Sequence, residues 1–593
     1  MTLDQASLRQ LNAGPVVGVK GHFDNHAWLG IPFAKAPVKE LRWKAPVARQ
    51  AWTETLEANQ HGAACVQAAG SVGGMPGEKG TITGSEDCLY LSVYAPAFTI
   101  KEADEEALPI MVWAHGGSNT HGAGSMYDGS RLAAEQNVIV VSINYRLGPL
   151  GWFLHPALNH NGTEADKSGN YGTLDILMAL EWVQKNAESF GGDVNNVTLF
   201  GESAGAFDLL SLMLSPLSEG LFHKAISQSG GIRLNPLETA MNYVDDDQPG
   251  HEFSSQQVNL YLHIQDGSAK DVAEARTLVN KKSLDQSAQY LRDKGVNELY
   301  DAYRYGQDGQ IARGPNVFSD GYVLPKGDPY EMFANPEQHL NIPLIIGTNR
   351  DELRLYLFGN PQFVETYFSF YKVIKNEAYY EATADYLTRM WKFNGVDRVA
   401  SALYESGRQH AVGSGASVWA YRFDWDEHAR PLGMELDKLI GAGHGIEIPF
   451  VFGFTSQEEF WTRIQDESNQ DSREALSKSM RGYWGEFAHK GNPGKGQAGK
   501  ERPWPAWNEA SSDAMKYMIL DSVEGGDNRM SNEIVSIASI ASDIAVDQRL
   551  EDDKSKCAVF AALTTRAENF WPAQEYPQRL GGACQTFPLS DAD

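Results

Sequence analysis

Apolar residues in this chain gather into short, nearly unbroken runs. Leu108 to Trp113, Val138 to Ile143, Val197 to Phe200, Ala225 to Gln228, Pro343 to Gly347 and Val418 to Phe423 stand out. Runs without polar alternation predict strands buried on both faces. Helical spacing lies between them, as in Leu174 to Asn186 with Leu177, Leu180 and Trp182. Strands alternating with helices predict an α/β protein with a large, mostly parallel central sheet flanked by helices. We expect a single domain over residues 1–593, with no internal repeat. Two stretches depart from the alternation. Residues 235–310 are polar and poor in strand signal, and residues 355–415 are helical in character and rich in Tyr and Phe. Both are expected to be insertions above the sheet that shape a substrate gorge. Within the second, Phe363, Tyr367, Phe368, Phe370, Tyr371, Tyr379 and Tyr380 are read as a packed helical core, with gorge lining as the alternative.

The run Val197 to Phe200 leads into Gly201-Glu202-Ser203-Ala204-Gly205, and a second apolar run, Leu209 to Leu214, follows. Gly-x-Ser-x-Gly between a strand and a helix is the pattern of a nucleophile elbow. The turn is so tight that only small residues fit beside the serine, whose hydroxyl then stands clear of the sheet. A serine at its free pKa is a poor nucleophile. It needs a histidine base, a carboxylate to fix the histidine tautomer, and backbone N–H donors for the developing oxyanion. His115-Gly116-Gly117-Ser118, just after the strand ending at Trp113, is the candidate donor loop. Fifteen histidines leave the base open by composition, but Gly441-Ala442-Gly443-His444-Gly445 sets His444 on a glycine-framed loop. Asp351 and Glu352 follow the run ending at Gly347. Local pattern alone does not separate them, and an ion pair with Arg350 or Arg354 is the structural alternative.

Bulk properties narrow the partners. The net charge is −27, from 77 acidic and 50 basic residues. That argues against nucleic acid or an anionic membrane as partner and suits neutral or cationic substrates better than polyanions. No window approaches the run of about 18 apolar residues that crosses a membrane, and Met1-Thr2-Leu3-Asp4-Gln5 lacks the features of a signal peptide. Four cysteines allow three pairings. Nearest-neighbour pairing would join Cys65 to Cys88 and Cys557 to Cys584 and implies an oxidising compartment, secreted or periplasmic. No spacing suggests a metal site. Gly494 to Glu501 nearly matches a phosphate loop but has Glu501 where magnesium would need Ser or Thr, and it follows no strand.

Longer motifs add a resemblance. Leu29-Gly30-Ile31-Pro32-Phe33-Ala34, Leu41-Arg42-Trp43, Ser85-Glu86-Asp87-Cys88-Leu89-Tyr90-Leu91, Asn144-Tyr145-Arg146-Leu147-Gly148, Gly169-Asn170-Tyr171-Gly172 and Phe190-Gly191-Gly192-Asp193 occur in order. With the elbow, they resemble the type B carboxylesterase family of α/β-hydrolases, which includes cholinesterases and the non-catalytic neuroligins. The resemblance implies Glu352, from Gly347-Thr348-Asn349-Arg350-Asp351-Glu352, as the triad acid. It implies His444, from the motif running from Gly443 to Gly453, as the base. It also implies Gly117, Ser118 and Ala204 as oxyanion donors, Glu202, Ser229 and Glu447 as residues that organise histidine and water, and a Cys65–Cys88 bond closing an Ω-loop. Three features depart from the family. Ser118 replaces a usual Gly or Ala, and the segment between Cys65 and Cys88 contains no tryptophan, which weighs against choline esters. Cys557 has only Cys584 as an evident partner. The expected activity is hydrolysis of short- to medium-chain carboxylic esters through an acyl-enzyme, without cofactor. A lipase is the alternative, and a binding protein on the same scaffold a more distant one.

Overall fold

The apolar runs become strands because nearly every residue in them is buried. Leu108–Ala114 and Ile139–Ile143 have no exposed position. The computed structural model describes residues 2–71, 74–97, 107–307, 310–409, 417–453, 465–565, 573–587 and 589. The chain divides into two compact units. One comprises Met1–Ser227, Ile232–Pro343 and Trp484–Asn492, the other Gln228–Gly231, Leu344–Tyr483 and Pro493–Asp593.

The sheet strands of the first unit are β1 (Val19–Lys20), β2 (Asn25–Pro32), β3 (Tyr90–Pro96), β4 (Leu108–Ala114), β5 (Ile139–Ile143), β6 (Gly192–Glu202) and β7 (Lys224–Gln228). Their order is β7-β6-β4-β5-β3-β2-β1. β4 pairs parallel with both β5 and β6, while β3 runs antiparallel to β5 and to β2, and β1 to β2. The sheet is therefore mixed, parallel where the serine elbow leaves it and antiparallel toward the N-terminal edge. β2 and β3 escape the apolar-run reading because Asn25, His26, Gly30 and Ser92 interrupt them, although most of their residues are buried.

Residues 235–310 form helices with side-chain caps. Ser254, Asp271 and Ser283 accept from the N–H groups of Gln257, Glu274 and Gln286 to start helices Ser255–Gln265, Val272–Val279 and Leu284–Arg292. Their apolar faces join Trp43, Phe153 and Tyr171 in one buried cluster.

Several quoted motifs hold this unit together. Arg42 Nε and Nη2 both donate to Glu86, each at 2.6 Å. Arg146 donates to Asp175 from Nε at 2.7 Å, from Nη2 at 2.8 Å and from its backbone N–H at 3.0 Å, and Asp175 is fully buried. Asp175→Ala leaves that guanidinium buried without its counter-charge. We expect a stability loss of about 3–5 kcal/mol, read as a lower urea midpoint. A change within about 0.5 kcal/mol would contradict this role.

The second unit contains β8 (Leu344–Asn349), β9 (Val418–Phe423), β10 (Tyr517–Leu520) and β11 (Arg529–Ser531). β8, β9 and β10 pair parallel, and β11 closes the edge antiparallel. Helix Glu377–Lys392 packs with helices Ile537–Val546 and Asp553–Thr565 around Tyr386, Leu387, Met390, Ile540 and Phe560. The aromatic segment is not one helical core. Val364–Tyr367 and Tyr371–Ile374 form an antiparallel ribbon that turns at Phe368-Ser369, and Phe368 is 86% exposed. Val364, Thr366, Val373 and Ile374 favour the pleated backbone there, and only Phe363 and Tyr380 of the seven aromatics are buried. Residues 410–416 of the same stretch lie outside the described residues.

Both disulfides follow nearest-neighbour pairing, Cys65–Cys88 and Cys557–Cys584. Glu501, in the near-match to a phosphate loop, accepts a hydrogen bond from Ser479. No described helix is long and apolar enough to cross a membrane.

Candidate active site

In the first unit, β6 delivers Glu202 and then Ser203, and helix α1 (Ala204–Leu214) starts at the next residue. Ser203 has φ 51° and ψ −123°, a strained conformation for any residue but glycine. Its carbonyl accepts from the N–H groups of Ala206 and Phe207 at 2.9 and 3.0 Å, which locks the turn. A Cβ on Gly201 would lie 2.7 Å from the carbonyl oxygen of Ala114, and one on Gly205 only 2.1 Å from it. The two glycines are thus required by the approach of the helix to β4, which also fixes where the serine stands.

The donor loop leaves the end of β4. The Tyr145 hydroxyl donates to the His115 carbonyl at 2.5 Å, and the two rings stack. Gly117 has φ 105°, and a Cβ there would sit 2.1 Å from the His121 carbonyl oxygen. The Gly117 carbonyl accepts from the N–H groups of Thr120 and His121, so the loop curls back on itself. Among the described residues, the N–H groups of Gly117, Ser118 and Ala204 have no acceptor. For Ala204 this follows from its place as the first helical residue, where the helix dipole adds positive potential. Glu202, buried at the end of β6, packs against Gly116, where a Cβ would lie 2.5 Å from its Oε2.

One pair here was not anticipated. Asn119 Nδ2 donates to Asp208 Oδ1 at 3.0 Å, and both residues are buried. Burial pushes the Asp208 carboxyl up to about 7, against the opposing hydrogen bond from Asn119. The pair ties the donor loop to the helix that follows Ser203. Its sequence signal is a carboxylate inside the mostly apolar run from Ala204 to Leu214.

In the second unit, Glu352 follows β8 and is fully buried. Its Oε1 accepts from the Thr348 hydroxyl and the Asn349 N–H, each at 2.7 Å. Its Oε2 lies 2.5 Å from His444 Nδ1. This places the proton on Nδ1 and leaves Nε2 as the nitrogen that can take one up. The His444 N–H donates to the Glu352 carbonyl, while Trp391 and Tyr356 flank the ring at 5.3 and 5.5 Å. Burial works to raise the Glu352 pKa, but the charge and hydrogen bond of His444, the Asn349 N–H and Ser229 outweigh it and hold the pKa below the ordinary value. Asp351 takes the other local reading, pairing with Arg350 at 2.8 Å and Arg354 at 3.2 Å.

Behind this pair lies Glu447, also fully buried. Asn349 Nδ2 donates to its Oε2 at 2.5 Å, and the Gln228 amide and the Ser229 hydroxyl approach Oε1 at 3.4 Å. Burial, then the charge of Glu352, push Glu447 up to about 7. No group of His, Cys, Asp and Glu among the described residues could hold a metal ion.

Comparison with known proteins decides the class. The Carboxylesterase family profile matches residues 5–404 and 358–535. The chain belongs to the carboxylesterase family. This carboxylesterase is 33% identical over 539 residues to the para-nitrobenzyl esterase of Bacillus subtilis (strain 168), covering 85% of this chain and 93% of the other. It is 32% identical over 550 residues to the cocaine esterase of Homo sapiens, covering 85% and 87%. A solved PNB esterase superposes with a TM-score of 0.66 at 29% identity, over 91% of this chain and 99% of that one. The fold is the α/β-hydrolase fold, and the enzyme is a serine-type carboxylic-ester hydrolase.

Proposed function

We propose that this carboxylesterase works through an acyl-enzyme on Ser203, with His444 as base and Glu352 as its partner. Ser203 Oγ bonds to the ester carbonyl carbon while its proton passes to His444 Nε2. Negative charge on the carbonyl oxygen is met by the N–H groups of Gly117, Ser118 and Ala204. The bond to the alcohol oxygen then breaks, and that oxygen takes the proton from His444. Water repeats the sequence, giving its proton to His444, and the carboxylic acid leaves as Ser203 is restored. Glu352 stabilises the imidazolium throughout, and Glu202, Ser229 and Glu447 organise the histidine and the water.

The observation that supports this most directly is the Ser203 elbow, together with the N–H groups of Gly117, Ser118 and Ala204, which have no acceptor among the described residues. We assign the substrates to short- and medium-chain esters and the enzyme to a secreted or periplasmic compartment, the latter supported by the two disulfides. Cell fractionation checks the location. A fluorophosphonate probe and a 4-nitrophenyl ester series from acetate to palmitate test the activity. Labelling of Ser203 with fastest turnover between acetate and octanoate is expected. Fastest turnover at palmitate would make the enzyme a lipase, and absence of labelling would favour a binding protein.

A further inference from the structure

The first unit contains a cavity of about 170 Å³ whose wall includes Thr120, His121, Trp152, Tyr300, Tyr303 and Arg313. It adjoins the donor loop directly, because Thr120 and His121 are the residues whose N–H groups bond the Gly117 carbonyl, at 3.0 and 3.1 Å. A cavity of about 150 Å³ takes a benzene-sized group, so this one accommodates a chain of roughly six heavy atoms.

The Tyr300 hydroxyl is already engaged, donating to the Val66 carbonyl at 2.9 Å. The Tyr303 hydroxyl is different. Tyr303 is only 3% exposed and its ring stacks on Phe253, yet its hydroxyl makes no hydrogen bond among the described residues. Burial holds its pKa well above the ordinary phenol value, so the group stays a donor. The hydroxyl oxygen is accessible from the cavity that the ring lines, so it is placed to donate to an acceptor held there. The Tyr303 carbonyl accepts the Ala312 N–H at 2.8 Å, which brings the segment carrying Arg313 onto the same residue. Arg313 is exposed at the cavity and has no ion pair, hydrogen bond or ring contact among the described residues. Among the described residues no Asp or Glu lines the cavity, although acidic residues outnumber basic ones 77 to 50 in the chain.

We propose that this cavity is a subsite for a free carboxylate carried by the ester, accepted by the Tyr303 hydroxyl and paired with the Arg313 guanidinium. The inference rests on the ester-hydrolase reading and narrows its substrates to esters with a free carboxylate on a spacer of medium length, on the acyl or the alcohol side. A net charge of −27 disfavours anions in general, and the cavity offers one anion a cation and a donor, with no acidic side chain among its described lining residues.

The test compares matched esters, mono-4-nitrophenyl adipate against 4-nitrophenyl hexanoate for a carboxylate on the acyl side. 4-Carboxyphenyl hexanoate against phenyl hexanoate tests one on the alcohol side. In one of the two pairs, wild-type kcat/KM should favour the anionic member about tenfold, and the preference should shrink as salt rises. Arg313→Gln should remove that preference through KM while the neutral ester is unchanged, Tyr303→Phe should act in the same direction, and Arg313→Lys should restore part of it. A wild-type ratio at or below one in both pairs, or an unchanged ratio in both Arg313→Gln and Tyr303→Phe, overturns the subsite. Calorimetric binding of monomethyl adipate and of 4-carboxyphenyl hexanoate to the Ser203→Ala protein separates this failure from failure of the ester-hydrolase reading. Saturable binding of either that Arg313→Gln weakens supports the subsite even without turnover, and no binding of either overturns it.

Discussion

Ser203→Ala should lower kcat for a 4-nitrophenyl ester by roughly six orders of magnitude. The hydroxyl is the only group removed, and alanine suits φ 51° no better and no worse than serine does. The elbow stays strained, Gly201 and Gly205 keep their contacts with Ala114, and the Ala204 N–H keeps its direction. The unfolding midpoint and the affinity for a non-hydrolysable substrate analogue should therefore hardly move. His444→Ala should cost about as much, and the double variant scarcely more than either alone, because the two groups act as one nucleophile. Residual turnover of roughly 10³–10⁴ over water should persist through the oxyanion donors. Additive losses would mean that the serine and the histidine act separately. Activity within tenfold of wild type in Ser203→Ala would remove Ser203 from the chemistry.

A fold is most legible in its sequence where one physical rule acts alone. Buried parallel strands leave unbroken apolar runs, so β4 to β9 were legible, and the steric limit at Gly201 and Gly205 made the elbow visible. It is less legible where two rules compete. β2 and β3 are buried but interrupted by polar residues, and the aromatic stretch at 364–374 carries helix-compatible spacing on β-favouring side chains. Asp351 and Glu352 could not be separated locally, since both follow the same strand. The difference lies in burial and in which partner arrives from about 90 residues later, where Gly443 and Gly445 frame His444. Asn119 and Asp208 were missed for a similar reason, because each looks like an ordinary loop or helix residue until the fold brings them to 3.0 Å.

Glu352→Gln should lower kcat by roughly 10⁴ while leaving KM close to wild type. The Thr348 hydroxyl and the Asn349 N–H both donate to Oε1, so a glutamine carbonyl must take that position and its NH2 must face His444 Nδ1. Two donors cannot share that contact. The imidazole then carries its proton on Nε2, the wrong nitrogen for accepting one from a serine. Loss of the carboxylate charge also makes the imidazolium less stable, so the rising limb of kcat/KM against pH should move to lower pH. Glu447→Gln is the contrast. It leaves the His444–Glu352 bond in place, so its activity loss should be much smaller, but it removes a group that burial and Glu352 push up to about 7. A carboxyl with its folded pKa raised stabilises the fold fully below its unfolded value of roughly 4.3. That contribution is lost as pH rises through about 7. Wild-type stability should therefore decline between those limits by more than that of Glu447→Gln, measured by urea unfolding at pH 4.5, 6 and 8. Equal declines in the two proteins would mean that Glu447 contributes no pH-linked stability, and a Glu447→Gln defect as deep as that of Glu352→Gln would place Glu447 in the chemistry as well.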